Sequence, residues 1–144
     1  MDATTSNVGQ IAALVRVIAE EVSSSIWHPN GLFPGGWCDD CSRVLGSLLR
    51  EQGENGFERV VGRRGEHLEK SHVWLRRGDL IVDITADQFP EEGTAPVMVT
   101  TDHVWHDGWE QYSEALEEID TNRTEGKLYD AIKNTEAWRL QQIV

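Results

Sequence analysis

The chain predicts an α+β fold: an apolar stripe at helical spacing opens it, short β-like runs fill its middle, and helical patterns return at its end. Its 144 residues suit one domain spanning 1–144, large enough to bury most of its apolar surface in a single core. No internal repeat, low-complexity tract or linker divides it.

Val8, Ile11, Leu14, Val15, Ile18 and Val22 recur on one helical face and predict a first helix over 8–24, with Asn7 and Gln10 as a capping pair. That stripe reads as core. Residues 27–37 carry Pro29, Asn30, Gly31, Pro34, Gly35 and Gly36, which is loop chemistry, and deliver the chain to Cys38. A second helix follows, with Asp39 or Asp40 as its cap, an apolar face of Val44, Leu45, Leu48 and Leu49, and Gly53 as its end. The β-like runs are 57–61, 72–76, 80–84 and 97–100. Arg77-Gly78-Asp79 is short enough for a hairpin turn, which makes 72–76 and 80–84 antiparallel neighbours and sets residue 72 opposite residue 84, within one residue. Residues 109–119 and 127–143 read as two further helices, the last with Leu128, Ala131, Ile132, Thr135 and Trp138 facing inward.

Cys38 opens a predicted helix, His72 lies on one strand and Asp83 on the next. A thiol at a helix N-terminus feels the positive end of the peptide dipoles, and a neighbouring imidazolium favours thiolate further. In that arrangement Cys38 is the nucleophile, His72 the base and proton donor, and Asp83 the group that fixes the imidazole tautomer. Backbone amides at the helix start are natural donors to a tetrahedral oxyanion, with Trp27, Asn30 and Trp37 as upstream side-chain alternatives. Asp83 stands between Val82 and Ile84, an acid that is costly to bury without a partner. Asp87 is the alternative third residue, although Asp87 and Gln88 read more simply as turn residues. Trp37 and Trp74 flank the nucleophile and base and are the candidates for lining a substrate cleft. Cys41, one turn into the same helix, reads as packing, and His103 and His106 as surface or core histidines.

These residues carry a family resemblance. Cys38, Ser42 four positions on, Leu48-Leu49-Arg50 and Gly53, then Gly62, His72-Val73-Trp74 and Asp83-Ile84-Thr85, occur in the order and spacing of the transglutaminase-like cysteine peptidase superfamily. The stretch over about 35–90 resembles that family, and the flanking segments do not. The resemblance implies a papain-like, transglutaminase-like architecture, with an antiparallel sheet packed against the Cys-bearing helix and further helices flanking it. It also implies acyl transfer on a peptide-like substrate, with no metal and no organic cofactor.

The net charge of −12 leaves no cationic surplus for nucleic-acid phosphate. Acidity reads first as solubility, with a basic protein partner as the specific alternative. Neither a basic, apolar leader nor an apolar run of about eighteen residues is visible, which predicts a cytoplasmic chain that does not enter the membrane. Two cysteines separated by two residues cannot staple distant segments. They do define two competing readings. One is a zinc or redox site built on Cys38 and Cys41, with His67 and His72 as a nominal second pair for zinc. The other is a noncatalytic binding or immunity-type protein on the same scaffold.

Overall fold

The computed structural model describes residues 3–141 and has four α-helices and a five-stranded antiparallel sheet. Helix α1 spans Ala3–Ser23 and α2 spans Cys38–Glu51. Strands β1 (Glu58–Arg64), β2 (Lys70–Arg77), β3 (Leu80–Asp83), β4 (Met98–Thr100) and β5 (Glu110–Ala115) form the sheet in the order β4-β3-β2-β1-β5. Helices α3 (Thr124–Lys133) and α4 (Glu136–Gln141) close the described chain.

The alternation of side chains along the strands divides the sheet into two unlike faces. Leu75 of β2 and Leu80 and Val82 of β3 pack with Val8, Ile11, Val15 and Ile18 of α1, with Val44, Leu45, Leu48 and Leu49 of α2, and with Leu128, Ile132 and Trp138 of α3 and α4. This is the main core. The opposite face carries Val60, Trp74 and Ile81, covered by Trp109, Phe89 and Trp105 from the connections. Ser42 ties α2 to the sheet, its hydroxyl donating to the Val73 carbonyl at 3.2 Å. Buried Arg16 of α1 does the same for the segment after β3, donating to both Asp87 carboxylate oxygens at 2.7 Å and to the Ile84 carbonyl at 2.6 Å.

Several expectations are corrected. Residues 109–119 contain no helix; Glu110–Ala115 is the edge strand β5, paired with β1 from Glu58↔Ala115 to Arg63↔Glu110. Its helix-compatible composition yields to the unpaired edge of β1, whose backbone groups need partners. The long helix over 127–143 is two helices, broken at Asn134 and Thr135, where the Thr135 hydroxyl accepts the Trp138 N–H at 3.2 Å as a cap for α4; its final positions, 142–143, lie outside the described residues. Asn7 sits inside α1 and donates to Glu54 rather than capping. Neither Asp39 nor Asp40 caps α2: Trp37 holds the cap position and no side chain makes a capping hydrogen bond there. Gly62 lies within β1, opposite His72, where an added Cβ would come within 2.8 Å of the Trp74 ring and of the Trp109 Cβ.

The β2–β3 hairpin turns on two residues, Gly78 and Asp79, because Arg77 pairs with Leu80; the ladder continues through Arg76↔Ile81 to Leu75↔Val82. That register is shifted by one residue from the expected one. The shift puts His72, Trp74 and Asp83 on the same face, the one opposite α1 and α2.

Candidate active site

The loop before α2 is built to present Cys38. Trp37 is buried and its indole N–H donates to the Gly31 carbonyl at 3.0 Å, while His28 stacks on the Trp37 ring at 4.2 Å between centroids. His28 bonds through Nε2 to the Asp40 carboxylate at 2.7 Å and accepts the Asn30 N–H on Nδ1 at 3.0 Å. Burial pushes the Asp40 carboxyl up against the opposing pull of His28. The first turn of α2 is thereby clamped to the loop, and Asp39 is held from the other side by Arg43 and Arg59. Trp37 belongs to the main core, with its indole N–H already engaged. The Asn30 amide likewise donates within the loop, to the Gly36 carbonyl, and Trp27 is exposed to solvent. Among the sequence candidates, the uncapped backbone N–H groups at the start of α2 are the donors left for an oxyanion.

Cys38 is 8 % exposed, Asp83 1 % and His72 0 %, so all three are buried and Cys38 is the least so. Cys38 packs with Val61 and Val73, a cross-strand pair of β1 and β2. His72 lies beyond the last β2–β3 pair, and there the thiol acts on its ring. His72 Nε2 is 2.7 Å from Asp83 Oδ2. Burial works against the charged ring, but the Asp83 carboxylate, through charge and hydrogen bond, and then the Cys38 side chain hold the His72 pKa up at about 9. For Asp83 burial likewise opposes charge, and the His72 charge with hydrogen bonds from His106 and His72 outweighs it, keeping the carboxyl well below the usual carboxylate range.

Trp74 lies on the His72 side of the sheet, with ring centroids 5.5 Å apart. Phe89, Trp105 and Trp109 complete an aromatic wall at 5.5, 5.7 and 5.7 Å from the imidazole. Arg64 spreads over the outside of this wall, 4.1 Å from the Trp109 centroid, and pairs with Glu92, which also accepts the Trp105 indole N–H at 3.0 Å.

His106 is the residue that sequence reasoning missed. It is fully buried, and its Nε2 lies 2.8 Å from the same Asp83 Oδ2 that His72 uses. His103, by contrast, is half-buried and bonds to the Asp79 carbonyl. Asp87, the alternative third residue, is taken by Arg16. Cys41 sits in the main core, where burial pushes its thiol well up. Both cysteines are free, and His67 is exposed. Among the described residues no group of three or more His, Cys, Asp or Glu is arranged to hold a metal ion, and no helix is long and apolar enough to cross a membrane.

Cys38, His72 and Asp83 therefore come together, joined by His106, in a site walled by aromatic rings. Comparison with protein-family models, with curated proteins and with solved structures returns no match, so the site is read from its own geometry.

Proposed function

We propose that the chain is a cysteine-dependent acyl-transfer enzyme of papain-like, transglutaminase-like architecture, hydrolysing an amide or peptide bond, or a related ester or thioester, through a Cys38 acyl-enzyme. The observation that carries this reading is a buried imidazole hydrogen-bonded to a carboxylate through Nε2, its Nδ1 without a hydrogen-bond partner, under the influence of a thiol at a helix start. A protonated His72 beside the thiol has a proton ready for the leaving group.

The chemistry runs in two halves. The Cys38 sulfur attacks the acyl carbon, and the carbonyl oxygen takes up negative charge against the backbone N–H groups of the first turn. As the intermediate collapses, the bond to the leaving group breaks and His72 gives that group its proton. His72, now neutral, removes a proton from an incoming water, whose oxygen attacks the acyl carbon. The carbon–sulfur bond then breaks, restoring the thiolate and imidazolium. Asp83 keeps the imidazole in the tautomer with hydrogen on Nε2, so that Nδ1 is the nitrogen free for this traffic. A depression of about 210 Å³ lies beside the first turn of α2, lined by Asn30, Gly36, Asp39 and Asp40 among others.

The test is labelling by electrophilic acyl probes, read by mass spectrometry on the wild type, Cys38→Ala and His72→Ala. Wild type should label at Cys38, Cys38→Ala should not label at all, and His72→Ala should lose about 100-fold or more in rate. With iodoacetamide at neutral pH, Cys38 should react faster than Cys41 in the folded protein by about tenfold or more. Equal rates at the two thiols, or indifference to His72→Ala, would remove the proposal.

A further inference from the structure

Asp83 receives more than a triad requires. Its Oδ2 is shared by His72 Nε2 at 2.7 Å and His106 Nε2 at 2.8 Å, and its Oδ1 accepts the Thr85 backbone N–H at 3.0 Å. An ionised carboxylate only accepts, so both imidazoles carry hydrogen on Nε2. The His106 ring reaches this position from the short 3-10 turn His106–Gly108, whose first carbonyl is held by the Gln111 side chain at 2.7 Å. Trp74 and Trp105 pack against the ring at 4.8 and 4.7 Å between centroids, which sets its plane. Its Nδ1 is buried with no hydrogen-bond partner. A residue serving only to fill this space would be apolar, since a buried imidazole with one orphaned nitrogen carries a desolvation cost.

We propose that His106 is a positioning residue for the Cys38–His72–Asp83 site: its Nε2–H fixes the Asp83 carboxylate in its ionised form and turns it toward His72. The inference rests on the proposed catalytic reading only for its consequence at Cys38; the effect on Asp83 stands by itself. The groups acting most directly on the pair are His72 from β2, His106 from the 3-10 turn and Cys38 from α2. Arg64 and Glu92 lie outside the aromatic wall. With three donors the carboxylate cannot rotate away, and it does not draw the shared proton off His72. Without the His106 donor, a buried Asp83 is a stronger base and titrates at higher pH.

Nuclear magnetic resonance on the whole chain tests this directly. Both His72 and His106 should carry hydrogen on Nε2 in the wild type; an Nδ1–H tautomer at His106 would overturn the proposal without any variant. The Asp83 carboxyl titration should move up by about one pH unit or more in His106→Leu, and stay near wild type in His106→Gln, whose amide can donate from a similar position. Iodoacetamide reaction at Cys38 should slow about tenfold in His106→Leu, the factor that corresponds to a shift of about one pH unit, and recover in His106→Gln. If His106→Leu does not fold, the tautomer and the His106→Gln titration decide. Equal Asp83 titrations in wild type and His106→Leu, or equal losses in Gln and Leu, would show packing alone. If His72→Ala leaves Cys38 reactivity unchanged, the catalytic reading fails, whereas the Asp83 titration still decides the role of His106.

Discussion

His72 and Asp83 form an ion pair with almost no access to water, and its contribution to stability has a defined pH window. The folded His72 pKa is about 9, above its ordinary 6.5, so this stabilisation is complete below pH 6.5 and is lost as pH rises toward 9. Asp83 is depressed below its ordinary 3.8, so its share is present above that pH and is lost as pH falls beneath it. The pair therefore stabilises most between those two ordinary values. The His72 shift corresponds to roughly 3 kcal/mol across its window. Urea unfolding at pH 5.5 and 9.5 should show wild type losing about that much more on going to the higher pH than His72→Gln does. A wild-type loss no greater than that of His72→Gln would mean the ring is neutral in the folded protein.

At the scale of elements, β1 and β2 are joined where Gly62 faces His72, and the missing side chain is what lets Trp74 and Trp109 close together behind the imidazole. Gly62→Ala should overpack this contact and cost about 1–3 kcal/mol, seen as a lower urea midpoint with an unchanged slope. A midpoint equal to wild type would show that the two indoles yield freely. The same strands mark how far the sequence could be read. Helices α1 and α2 were legible because their stripes are long and periodic. The order Cys38, His72, Asp83 was legible because each residue sits in a short motif of its own. The hairpin was legible as a turn but not as a register: Gly78-Asp79 and Arg77-Gly78-Asp79 are equally plausible turns on composition. The one-residue difference exchanges the faces. Strand β5 was hidden because Glu110, Gln111, Glu114 and Ala115 suit a helix, and only the free edge of β1 makes them a strand. His106 was hidden for a related reason. Its partner is 23 residues away in sequence, and no local period links His103-Val104-Trp105-His106 to a carboxylate on β3.

Across the whole molecule, α2 brings Cys38 from one side of the sheet, and the connections after β3 and β4 wall in His72 on the other. Arg16 fastens the first of these connections to α1 through Asp87, so the helical layer and the aromatic layer are set relative to each other through the strand that carries Asp83. The aromatic wall has an optical consequence. Three indoles, Trp74, Trp105 and Trp109, lie within 5.7 Å of one imidazole, centroid to centroid. A protonated imidazole accepts an electron from an excited indole, whereas a neutral one does so poorly. Intrinsic tryptophan emission should therefore brighten as pH passes through about 9, and the step should vanish in His72→Gln. A flat emission profile in the wild type would place the proton elsewhere. The charge on His72 can thus be followed by its own neighbours' light, without a ligand and without a label.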